Sequence, residues 1–214
     1  DGGVVVLDVH RAWVMLNQDA VTDFQKFNLA ITAPTAETAR FHAAPLPVAL
    51  HVVGGTVYAL LGAFQFSSTP HKWHRLAGRI AFPMGLVAAL SGIWMTLTYP
   101  WANSDGEAVY LARLVFGAGM ALSLMLGVAS AVKRNIPAHK AWMLRAYAIG
   151  MGAGTQVLTH LPWFLLVGQP TEGPRAVLMI GAWVLNLAIA EWIIRKRNGA
   201  PDPRATRRPF LNAS

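Results

Sequence analysis

Residues 139–160 read HKAWMLRAYAIGMGAGTQVLTH. A histidine stands at each end. Lys140 and Arg145 are confined to the first part, and the rest is small, aromatic or aliphatic. In a helix rising 1.5 Å per residue, His139 and His160 would lie roughly 32 Å apart, about one hydrocarbon thickness. The stretch therefore reads as a membrane crossing that carries a titratable, metal-capable side chain near each face.

Composition supports that reading. The chain has 214 residues, 54% apolar and only 13% charged. That is about half the charged share of a soluble domain. The net charge is +8, but the basic residues gather in short connections and the C-terminal tail. No basic helix face with interleaved aromatics is present, so nucleic acid is excluded as a partner. The absence of cysteine excludes disulfides, thiolate metal sites and cysteine nucleophiles.

Five apolar runs are long enough to span a bilayer as helices: about 45–66, 76–99, 109–132, 141–167 and 176–194. Each is too long and too continuously apolar for a membrane strand. The expected fold is an all-α, polytopic transmembrane bundle over residues 45–194. Residues 1–44 form an N-terminal segment and 195–214 a basic, Pro-containing tail. Thirteen of the 18 Lys and Arg fall on the side of Lys72, Lys133, Arg195 and the tail. Arg11, Lys26, Arg40, Arg113 and Arg175 fall on the other. The positive-inside bias makes the first side cytoplasmic, in a bacterial inner membrane. Residues 1–44 are then extracytoplasmic, which calls for a sixth span ahead of them, missing from this sequence.

Depth sorts the histidines. His51 lies about six residues inside the outer end of the first span. His160 lies about seven residues inside the outer end of the fourth. Both sit roughly 10 Å below the same face. Two imidazoles on separate helices at matched depth suit bis-histidine ligation of a b-type haem. They equally suit interhelical hydrogen bonds, a metal site or proton transfer. His74 and His139 form a second candidate pair on the cytoplasmic side, where hydrogen bonding or helix capping competes.

Gln65, His74, Arg75, Arg79, His139, Arg145 and Glu191 share a depth on that side. A lone carboxylate within a span is costly, so Glu191 should pair with Arg145 or Arg79. The cluster reads as an interhelical ion pair, a quinone or anionic-headgroup site, or a proton path. Glycines at 54, 55, 62, 117, 119, 127, 150, 152 and 154 allow close helix packing or clearance for a planar cofactor. No catalytic set emerges: there is no serine–histidine–acid pattern, phosphate loop or HExxH motif.

Several blocks carry a family resemblance. They are ARFHAAPLPVALHVVGGTVYALLGAFQF (39–66), HKWHRLAGRI (71–80), VAALSGIWMTLTYP (87–100), HKAWMLRAYAIGMGAGTQVLTHLPWFLL (139–166) and NLAIAEWII (186–194). In these the chain resembles the bacterial membrane proteins grouped as domain of unknown function 2306. The resemblance implies a polytopic helical membrane protein and supplies no reaction. His51, Gln65, His74, Arg75, Arg79, His139, Trp142, Arg145, His160 and Glu191 all fall inside its recurring blocks.

Two functional classes follow. In one, the chain is a small electron carrier with haem b between His51 and His160, and a quinone or other donor at the cytoplasmic cluster. In the other it is a non-catalytic accessory subunit of a respiratory or photosynthetic membrane complex, contacting partner subunits through residues 1–38 and 195–214. A transporter or quinone-modifying enzyme ranks behind both, since neither an inverted repeat nor a discontinuous helix is legible.

Overall fold

The computed structural model describes residues 39–66, 71–102 and 104–198. The expectations for residues 1–38 and for the tail beyond 198 lie outside these. The chain divides into two units, Asp1–Ala43 and Ala44–Ser214. In the first, helix α1 (Ala39–Ala43) is the described part.

The second unit is a helical membrane bundle, with no strand among the described residues. Its helices are α2 (Pro45–Gln65), α3 (His71–Thr98), α4 (Glu107–Val132), α5 (Ile136–Gly150), α6 (Gly152–Leu166) and α7 (Glu172–Asn198). Four of these, α2, α3, α4 and α7, are long and apolar enough to cross a membrane. Val115, Leu122, Leu158 and Val177 point outward with more than half their surface exposed. Such a surface needs lipid around it.

The expected count of five uninterrupted spans is not met. The run 141–167 is two helices of 15 residues each, α5 and α6, separated at Met151. At 1.5 Å per residue each is about 22 Å long, short of a bilayer core. Met151 keeps right-handed helical angles (φ −73°, ψ −5°), so this is a one-residue interruption and not an unwound segment. Met151 N–H still donates to Tyr147 O at 2.9 Å, and Thr155 N–H to Met151 O at 3.1 Å. Gly150, Gly152 and Gly154 surround the break and weaken the helix locally.

Helix boundaries also run past the expected ones. α3 begins at His71, so the HKWH expected as loop is helical. α5 begins at Ile136, where Asn135 caps it by accepting from the Ala138 N–H at 3.2 Å. Pro137 in the first turn costs nothing there, because that N–H has no helical acceptor. Arg134 makes the preceding tight turn with φ of 58°. α7 runs on to Asn198 and takes up Arg195, Lys196 and Arg197.

α3 packs on α2 and α4, α4 on α5 and α7, α5 on α2 and α7, and α6 mainly on α7. The core gathers Tyr58, Ala81, Ala89, Met120, Leu124, Ala146 and Ile149. Small residues make this approach possible. The Tyr58 ring lies against Gly85 and Gly150, the Tyr147 ring against Gly62, and Met143 against Gly127. A side chain at any of these four positions would meet those groups. α6 differs from its neighbours: Gly152, covered by the Trp183 indole, is its one buried residue.

Candidate functional site

The polar side chains of the spans fall into three groups. At one end of the bundle, Arg145 Nε donates to Glu191 Oε1 at 2.5 Å and Nη2 to Oε2 at 3.0 Å. This forked pair joins α5 to α7. The guanidinium also lies 4.6 Å from the centre of the Trp142 ring. Glu191 therefore has the first of its two expected partners, and Arg75 and Arg79 are exposed. Gln65 lies over Gly78 of α3. His139 of α5 bonds through Nδ1 to Gly127 O of α4 at 2.9 Å. His74 is half-buried near the start of α3.

At the opposite end stands a group the sequence reading overlooked. Asp105 sits before α4 with its side chain only 2% exposed. Arg113 Nη1 and Nη2 donate to its two oxygens at 2.7 and 3.2 Å, and Arg175 Nε donates to Oδ1 at 2.8 Å. One carboxylate thus ties the start of α4 to the start of α7. Burial raises the Asp105 pKa, but the hydrogen bonds and charges of Arg113 and Arg175 outweigh it and hold the carboxyl below its ordinary value. The Tyr99 hydroxyl closes the same end by donating to Ala44 O.

The third group carries the candidate site. His51 and His160 each lie six residues from the end of their helix on the Asp105 side. The structure ties them to different elements. His51 Nδ1 is 2.8 Å from Ala88 O of α3, and Gly92 leaves room for its ring. His160 Nδ1 is 2.8 Å from Gln156 O of its own helix. A carbonyl only accepts, so in each case Nδ1 carries the proton. The same holds at His139. Nε2 of all three makes no hydrogen bond among the described residues, and in a neutral ring it is the nitrogen with the free lone pair.

His160 belongs to a polar face of α6. At about 100° per residue, Thr155, Thr159, Trp163, Gln156 and His160 fan out in that order over about 140° of the helix surface. The Thr155 hydroxyl donates to Asn186 Oδ1 at 3.0 Å, and the Thr159 hydroxyl reaches Leu178 O at 3.3 Å. That edge faces α7. Asn186 Nδ2 donates to Ala148 O at 3.2 Å, at the break between α5 and α6. Gln156 Nε2 and Trp163 Nε1, in the middle of the fan, are buried with no partner. Among the described residues no group of three or more His, Asp or Glu could hold a metal ion.

The family model described as predicted membrane protein DUF2306 matches residues 48–194, well over half the chain. The chain belongs to this family. No curated protein and no solved structure matches. The matched range contains both histidine pairs, the Arg145–Glu191 fork and the whole polar face of α6, but not α1. In this DUF2306 protein the sequence singled out His51 and His160 as candidates. It did not single out Gln156, Trp163 or Asn186. The signal was the spacing Gln156, Thr159, His160, Trp163, which repeats at i, i+3, i+4 and i+7 on one helix face.

Proposed function

We propose that this DUF2306 protein is a membrane electron carrier that holds one b-type haem between His51 and His160. The observation behind this reading is the contact of each Nδ1 with a backbone carbonyl. A ligating imidazole donates one nitrogen's proton to a carbonyl and offers the other nitrogen's lone pair to the metal. His51 and His160 both have Nδ1 so engaged. Both lie about 9 Å from the same end of the bundle. The haem would supply one-electron chemistry. The protein would supply the two imidazoles, a fixed depth and an apolar wall that excludes water.

The more basic end, with Arg145 and Arg195, would face the cytoplasm of a bacterial inner membrane under the positive-inside bias. The electron donor or acceptor would be a lipid-soluble quinone or another membrane subunit. A reduced-minus-oxidised spectrum of the purified protein tests the proposal. A b-type band is expected, lost in both His51→Ala and His160→Ala and kept in His139→Ala. A folded protein with no such band overturns it.

A second reading is an accessory subunit of a larger respiratory or photosynthetic complex. It rests on α6, whose outer face of Leu158, Leu161 and Leu165 is exposed and could receive a partner helix. Co-migration with other subunits after mild extraction from native membranes would support this reading. A free monomer would count against it.

A further inference from the structure

The start of α3 carries three cations on one stripe. At about 100° per residue, Lys72, Arg75 and Arg79 fall within about 60° of one another around the helix. All three are exposed. Among the described residues the ion pairs are made by Arg113, Arg145 and Arg175 instead. The stripe is centred about 110° from the packed face of Ala81, Gly85 and Ala89, so it points away from the bundle. No described carboxylate at this end answers it. Asp105, Glu107 and Glu172 stand at the opposite end, and Glu191 is held by Arg145.

Depth and the neighbouring surface narrow the partner. α3 has 28 residues, a length of about 42 Å against a hydrocarbon core of about 30 Å. Its last three turns hold no charged residue, so the surplus length lies at its start. The three cations then fall in the headgroup layer. Exposed Trp73 suits that layer, as does Trp192 of α7, with Lys196 Nζ 5.3 Å from its ring centre. Beside the stripe, over about a further 100° of the helix, come Leu76, Ile80 and Trp73, all exposed. A soluble anion would engage the cations alone. A lipid with a negatively charged phosphate engages both: its headgroup meets the cations and its chains lie along the apolar flank.

We propose that the start of α3 is a binding site for an anionic phospholipid, read by Lys72, Arg75 and Arg79. The site is separate from His51 and His160 and holds whether or not haem is bound.

The test is native mass spectrometry of the full chain in uncharged detergent, titrated with phosphatidylglycerol or with phosphatidylcholine. Wild type should retain phosphatidylglycerol preferentially. Replacing Lys72, Arg75 and Arg79 together with Gln should weaken that retention about fivefold per cation, roughly 100-fold in all. A control triple, Lys133→Gln with Lys140→Gln and Arg197→Gln, removes the same charge from exposed positions at the same end and should retain the lipid. Arg79→Gln alone should lose about fivefold, which keeps the test decisive if the triple does not fold. Inorganic phosphate in large excess should not displace the lipid. Equal retention of the two lipids by wild type overturns the proposal and leaves the stripe to an acidic protein partner. Wild-type retention in folded Arg79→Gln, an equal loss in the control triple, or displacement by phosphate overturns it as well.

Discussion

Asn186 holds the interrupted helix together at Ala148. Its Nδ2 donates to the Ala148 carbonyl on α5, while its Oδ1 accepts from Thr155 on α6. One amide on α7 thus serves both sides of the break at Met151. Asn186→Leu would remove both bonds and leave Ala148 O without this donor in an apolar setting. The expected cost is about 1–2 kcal/mol, read as a lower unfolding midpoint in detergent micelles. An unchanged midpoint would mean that the amide does not secure the break.

Glycine substitutions should divide by what lies above them. A Cβ at Gly152 meets the Trp183 indole, and one at Gly62 meets the Tyr147 ring, while one at Gly181 meets nothing within 4 Å. Gly152→Ala and Gly62→Ala should each destabilise by about 1–3 kcal/mol through overpacking. Gly181→Ala should be neutral or stabilising by up to about 1 kcal/mol, from helix propensity. Equal midpoints for all three would refute this packing account.

The Arg145–Glu191 fork should behave as a clasp. Removing one partner leaves the other charge without its bidentate mate, at a cost of roughly 1–3 kcal/mol. The double substitution Arg145→Met with Glu191→Met should cost less than the two singles added. A double-mutant cycle in chemical denaturation checks this. Strict additivity would show that the pair contributes nothing as a pair.

Asp105 gives the fold an acid-sensitive end. Its carboxyl is held below its ordinary value in the folded chain, so the unfolded chain takes up the proton more readily. The stabilisation is complete above the ordinary value of about 3.9. It is lost as pH falls through the lower folded value. Asp105→Asn should abolish that part of the pH dependence and lower stability at neutral pH, where both arginines lose a charged acceptor. Unfolding curves from pH 6 down to pH 3 would show it, and parallel profiles for variant and wild type would disprove it.

Much of this architecture is legible in the residue string because membrane burial writes long apolar runs. Four of the five expected runs are single helices, and Glu191 within a span demanded a cation, which Arg145 supplies. The break at Met151 was not legible. Gly150, Gly152 and Gly154 sit equally well in a continuous packed helix, and nothing local marks Met151 as the point of interruption. Asp105 was hidden for a different reason. In TYPWANSDGE it looks like a turn residue, and its two arginines lie 8 and 70 positions away.

By itself the sequence determined that this chain lives in a bilayer, that its spans are helical and that two histidines sit near one face. Hydrophobic length and the cost of bare backbone in lipid fix those outcomes locally. The tertiary structure decided which carbonyl each of those histidines meets through Nδ1, which donors on α6 go unpaired, and that Asn186 serves the break. Each of these depends on the carbonyl or side chain placed opposite. That placement comes from packing between helices, where small residues set how closely the backbones approach.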